Sequence, residues 1–234
     1  VDGGPLPALS AGARLDALAP HTLQRLAQAR PALARAEAAW RPRLIALAQA
    51  QLAQLPHPRL HPASASPPQP FEVVLPAQAP LQDGAPHDWL AACAAWLAAV
   101  SGEPAVGLRW RDPALARASE GLQPFACGWW PLLMEVHPGQ RACDLRETAR
   151  SLLSQAQADG PVSADLRWRL GRPAPALPVF GVCVGDAPQD PAFDAPEVCL
   201  MVTADAGAGG CGPAPWRLRF DARLWPVEVA SEIA

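Results

Sequence analysis

Residues 87–110 read HDWLAACAAWLAAVSGEPAVGLRW, and their reading decides the fold. The first part, 87–100, is an Ala/Leu/Trp run with Asp88 near its start, which predicts a strongly apolar helix. Ser101 and Gly102 close it, glycine being the residue that most readily takes the left-handed backbone of a helix end. AVGLRW, 105–110, then turns strand-like.

Working outward, the same grammar repeats. FEVVL (71–75) is a short β-prone run, and WPLLMEVH (130–137) is a longer strand closed by Pro138 and Gly139. CDLRETARSLLSQAQA (143–158) is an amphipathic helix stopped by Asp159, Gly160 and Pro161. VFGVCVG (179–185), EVCLMVTA (197–204) and WRLRFDA (216–222) are strands, and a last helix begins near Pro226. The order β-α-β-β-α-β-β-β-α predicts an α/β mixed-sheet sandwich, with helices flanking a largely buried sheet, over 71–234. Ahead of it, residues 1–13 read as a tail or linker. Residues 14–55 read as a helical segment, with leucines at 15, 18, 23, 26, 44, 47, 52 and 55. Pro20, Pro31 and Pro42 should start or break helices there, giving two or three rather than one rod. PHPRLHPASASPPQP, 56–70, is a proline-rich linker, extended and exposed.

Composition narrows the function. A chain of 234 residues, 50% hydrophobic, can bury roughly 70–75% of its unfolded surface as one large or two small domains. Its net charge of −3 leaves no basic footprint for nucleic acid and no draw to anionic lipid. All 19 basic residues are Arg, and Lys, Tyr and Asn are absent. That excludes Schiff-base and P-loop lysine chemistry, phenolic acid–base catalysis and N-glycosylation. The excess of Ala, Arg and Pro reads as the mark of a GC-rich genome rather than of function. The six cysteines (93, 127, 143, 183, 199 and 211) form no CxxC pair, and no secretory signal opens the chain. Cys183 and Cys199 sit in apolar runs, so reduced, buried thiols are expected. No apolar stretch reaches the ~18–20 residues that span a bilayer, and a soluble, cytoplasmic chain is expected.

Candidate chemistry is sparse. His57 and His61 have the i, i+4 spacing of helical metal ligands, but the flanking prolines read as linker. AGAGGCGPA (206–214) looks like a phosphate-cradling loop, yet the next element is a strand, where such loops need a helix N-terminus. Ser64 and Ser66 lie in the linker, and no GxSxG nucleophile elbow occurs. Cys127, beside Gly128, Trp129 and Trp130, is a candidate nucleophile with His87 or His137 as a distant base, although a thiol next to two indoles reads first as packing. Trp89 and Trp96, seven apart, fall on one helix face and read as core.

Several segments carry a family likeness. AEAAWRPRLIAL (36–47) has an acidic-x-x-Trp-x-x-x-Leu pattern, and residues 88–110 join an Ala/Leu helix, a Ser-Gly-acidic turn and a Val-Gly strand. Residues 130–156, VFGVCVGDAP (179–188) and WRLRFDARLWPVEVASEIA (216–234) continue with strand, turn, Leu-rich helix, late strand and closing strand. Together they resemble the C-terminal lobe of nonribosomal peptide synthetase condensation domains. The fold this implies is one lobe of the two-lobed, chloramphenicol-acetyltransferase-like fold of the CoA-dependent acyltransferases.

The resemblance also implies what the chain does not do. The family's catalytic motif, two adjacent histidines followed by three residues and Asp-Gly, belongs to the other side of the fold. This sequence has no adjacent histidine pair, and Asp2-Gly3 matches only the tail of the motif. Residues 125–130, FACGWW, and 158–167, ADGPVSADLR, stand where the family's lines border the channel for the acceptor carrier arm, and Trp129 and Trp130 are expected to fill it. No catalytic, cofactor-binding or metal residue is assigned, and no cofactor is expected. The implied role is a non-catalytic, truncated or degenerate condensation module of secondary-metabolite biosynthesis, a platform for an adenylation domain in cis. One alternative is half of an acyltransferase completed by a separate histidine-bearing lobe, with self-association through an exposed apolar face. Another is a module binding a phosphopantetheinyl carrier protein, with Arg109/Arg111 and Arg217/Arg219 forming an Arg-bearing strand face.

Overall fold

Strand residues alternate between the two faces of a sheet, and here that alternation sorts the core. The computed structural model describes residues 20–55, 70–75, 84–122, 125–171, 176–185, 195–202 and 216–226. In chain order its elements are α1 (Pro20–Gln49), β1 (Pro70–Val74), α2 (Pro86–Ser101), β2 (Ala105–Arg111), α3 (Pro113–Ser119), β3 (Trp130–Glu135), α4 (Ala142–Asp159), α5 (Leu166–Leu170), β4 (Phe180–Val184), β5 (Val198–Val202) and β6 (Arg217–Asp221). The strands form one six-stranded sheet, ordered β1-β6-β5-β4-β2-β3. Its centre, β2-β4-β5, is parallel, and β3, β6 and β1 join antiparallel at the sides. The mixed α/β sandwich expected from the sequence is therefore the architecture. Two short helices, α3 and α5, are additions.

The first face carries Val106, Leu108 and Trp110 of β2, Trp130, Leu132 and Met134 of β3, Phe180 and Val182 of β4, Val198, Leu200 and Val202 of β5 and Leu218 and Phe220 of β6, all buried. Against it pack Leu90, Ala94 and Leu97 of α2 and Leu145, Ala149 and Leu153 of α4, in one continuous core. α2 starts with Asp88 reaching back to Ala85 N at 3.0 Å, and ends at Gly102, whose left-handed φ of 73° lets its N–H return to Ala98 O. At the end of β2, Asp112 caps α3 by accepting from Leu115 N at 2.8 Å. It also accepts from Trp110 Nε1 and from Gln157 of α4.

The second face is different in kind. It carries Gly107, Arg109 and Arg111 of β2, Gly181 and Cys183 of β4, and Cys199 and Met201 of β5, with Trp129 packed on the sulfur-bearing residues. Backbone and loops come very close here. A Cβ at Gly107 would sit 2.9 Å from Leu52 Cδ1, and one at Gly181 would overlap Pro196.

The helical segment departs from expectation. α1 is one helix of 30 residues with Pro31 and Pro42 inside it, not two or three helices. Each proline costs about 3 kcal/mol in a helix interior, because it removes an N–H bond and crowds the carbonyl four residues back. Here both prolines, and Ala27 and Ala38 four residues before them, lie on the solvent side, where water reaches the freed carbonyls. The opposite side is pinned by Leu33, Ala36, Trp40, Leu44 and Leu47, all buried, and that burial overrides the local rule. The 1–13 tail, residues 56–69 of the linker and residues 227–234 of the last helix lie outside the described residues.

Candidate functional site

The two segments flagged as channel borders come together. Ala126 and Ser163 form an antiparallel bridge, Cys127 N donates to Val162 O at 2.8 Å, and Ala164 N donates to Phe125 O at 3.0 Å. Between this pair, α1 and the second sheet face lies a recess of about 20 Å³, room for roughly one water. Leu44, Cys127, Trp129, Val162 and Leu177 line it, with Arg109 and Arg167 at its walls. Among the described residues no histidine lines it.

The adjacent tryptophans part company. Trp129 turns to the second face, is buried, and lines the recess; among the described residues its Nε1–H has no hydrogen-bond partner. Trp130, one residue on, points the other way into the main core. Its Nε1 donates to Gly160 O at 3.1 Å, and so does Trp40 Nε1 of α1 at the same distance. Gly160 follows α4 at φ 82°, a backbone conformation side chains rarely adopt, and that turn presents its carbonyl to both indoles. The expectation that both tryptophans fill one space is corrected: Trp129 lines the recess, and Trp130 is a core residue of the opposite face.

The arginines of β2 are a second correction. Arg109 and Arg111 are buried under the 125–131 segment, and Arg111 donates to Gly128 O at 2.9 Å. They present no exposed strand face. On β6, Arg217 is exposed and pairs with Glu72 at 3.4 Å.

The candidate Cys–His dyad is not assembled. His87 sits at the start of α2, 3.2 Å from an Arg150 nitrogen and 3.9 Å from Asp88, while exposed His137 lies 3.6 Å from Glu135. Burial pushes the Cys93 thiol up to about 12 and holds the Cys199 thiol well above its usual value, with Cys183 beside it adding to the shift. Both are poor nucleophiles. Among the described residues no group of three His, Cys, Asp or Glu could hold a metal ion. Trp89 is core as expected, and Trp96 stacks on Phe180 with ring centres 5.6 Å apart. His57, His61, Ser64, Ser66, Asp2, Gly3, Cys211 and the 206–214 loop lie outside the described residues. No helix among the described residues is long and apolar enough to cross a membrane.

The sheet and its flanking helices have counterparts among solved structures. A variant of the starter condensation domain of the rhizomide synthetase RzmA matches with a TM-score of 0.59 at 19% identity, over 90% of this chain and 52% of that one. The first condensation domain of the CDA synthetase matches with a TM-score of 0.59 at 17% identity, over 91% and 51%. The fold is that of one lobe of a condensation domain. A third such match is the X-domain of teicoplanin biosynthesis, solved with OxyB, with a TM-score of 0.57 at 15% identity over 90% and 53%. The condensation-type lobe described here thus spans about half the length of the structures it matches. At these identities the likeness carries the fold alone. No family model matches the chain, and no curated protein matches it in sequence.

Proposed function

We propose that this condensation-type lobe is a non-catalytic module of a nonribosomal peptide synthetase, working in the cytoplasm as a rigid platform for an adjacent adenylation domain. The observation that carries the reading is the closed seam: the segments that would border a carrier-arm channel are hydrogen-bonded to one another, with Trp129 packed into what remains. Proton transfer to or from a reacting amine needs a side chain within hydrogen-bond reach, and among the described residues no histidine lines that recess. The test is deletion of residues 1–234 from the parent synthetase, followed by assays of amino-acid adenylation and solubility. Both should fall. Unchanged behaviour in both overturns the platform reading.

A second reading keeps the chemistry, with the chain as half of an acyltransferase that a histidine-bearing lobe completes. It rests on the half-length match to whole condensation domains. Mixing the chain with such a lobe should then produce a complex and acyl transfer; a chain that ignores it removes this reading. The carrier-binding alternative loses Arg109 and Arg111 as its basis, since both are buried.

A further inference from the structure

Large apolar side chains are the costliest to leave in water, and one tryptophan of this chain is left there. Trp168, on the outer side of α5, is 51% exposed. The Arg167 guanidinium stacks over its ring, 4.6 Å from the centre. α5 is tied to α1 by Arg169, which donates through two nitrogens to the two Glu37 oxygens, each at 2.7 Å, and also pairs with Asp165 at 3.0 Å. Arg41 adds a further bond to Glu37 at 3.0 Å. Arg30, two turns before Glu37, shares that side of α1.

The charges do not balance. Both carboxylates of the patch are already engaged, Glu37 by Arg41 and Arg169 and Asp165 by Arg169. Among the described residues Arg30 and Arg167 pair with no carboxylate. An exposed indole with surplus guanidiniums, fixed in place by a two-point ion pair, is the composition that dominates binding energy in protein interfaces. Preorganisation matters too, since an anchor held before binding loses little freedom on binding. The whole chain, by contrast, carries a net charge of −3, so a long polyanion extending past the patch meets repulsion where a compact acidic surface does not.

We propose that the α1–α5 junction, centred on Trp168, docks the acidic face of a separate protein, with the indole seated in an apolar notch and Arg30 and Arg167 paired to partner carboxylates. This inference rests on the patch alone and stands whether or not the platform reading does.

The test titrates the full chain with a fluorescein-labelled amphipathic helical peptide carrying Glu along one side and Leu beside it. A control peptide has Lys at every Glu position. The Glu peptide should bind, lose affinity with rising salt, and weaken by about tenfold or more with Trp168→Ala or Arg167→Glu. Both positions are on the surface, so both variants should keep the parent circular dichroism spectrum. No binding of the Glu peptide, or equal binding by the two variants or by the Lys peptide, overturns the proposal. So does Trp168-dependent binding of an RNA oligonucleotide or an anionic vesicle in place of the peptide, or self-association that Trp168→Ala abolishes.

Discussion

The two faces of the sheet have the same strands and opposite characters. The first is aliphatic and aromatic throughout and covered by regular helices, and the indoles of β2 and β3 that enter it are satisfied, Trp110 on Asp112 and Trp130 on Gly160 O. The second mixes two arginines, two thiols and a methionine, is covered by the 125–131 segment and by prolines, and leaves the Trp129 N–H without an acceptor. The difference separates what makes the lobe stable from what shapes its recess. Helices on an apolar face stabilise by area, about 25 cal/mol per Å² buried, and need no particular partner atom. A face closed by irregular chain depends on individual contacts, and there a buried donor left unpaired costs about 1–3 kcal/mol.

The largest expected effect breaks the first face. Trp130→Ala should cost about 3–5 kcal/mol in urea unfolding, since it empties a fully buried site and removes a bond to Gly160 O. A loss below about 1 kcal/mol would mean the first face is not the fold's main support.

The comparison sharpens with Phe at the two adjacent positions. Trp130→Phe gives up a made hydrogen bond, whereas Trp129→Phe removes an N–H that has none. Trp130→Phe should therefore be the more costly by on the order of 1–2 kcal/mol. Equal costs would erase the distinction between the faces.

Next in size is an alkaline loss. The folded-state values of Cys93 and Cys199 are raised, so their contribution is complete below the ordinary thiol value and disappears as pH rises through the folded one. Stability should decline from about pH 9 with a slope of up to about 1.4 kcal/mol per pH unit for each such thiol. At neutral pH a maleimide should label exposed Cys143 and spare Cys93, Cys183 and Cys199 until the chain unfolds. Native labelling of Cys183 or Cys199 would show that the second face opens.

The smallest effect is at the surface. Hydrogen bonds from Arg169 hold the Glu37 carboxyl below its usual value, so its contribution is present above that value and fades as pH falls through the lowered one. Glu37→Gln should remove part of the acid limb of the stability profile, up to about 1 kcal/mol, and leave the neutral region nearly flat. An unchanged acid limb would mean the bidentate pair adds nothing.

Much of this was legible in the sequence, and the rest failed for physical reasons. Apolar periodicity located α2, α4 and the strands, because those elements bury one face each and their patterns record it. α1 defeats a local reading because the cost of Pro31 and Pro42 is local, while the anchors that override it, such as Trp40 on Gly160 O, involve residues far along the chain. Arg109 and Arg111 alternate with apolar residues as they would on a solvated strand; nothing in that pattern tells water from a covering segment. Trp129 and Trp130 could have been separated, since Trp130, Leu132 and Met134 share one parity and Trp129 has the other. The family likeness sets 125–130 and 158–167 beside one another, but the recess between them depends on the Cys127–Val162 pairing, which no local signal shows.

Everything proposed for this lobe turns on the closed seam between 125–129 and 162–164. The most direct measurement is a pantetheine titration of the isotope-labelled chain, followed at the backbone amides of Cys127, Val162 and Ala164. The account predicts no saturable shift at any of the three. A saturable shift confined to them would mean that the seam opens to admit the arm, and would contradict the non-catalytic reading at its base.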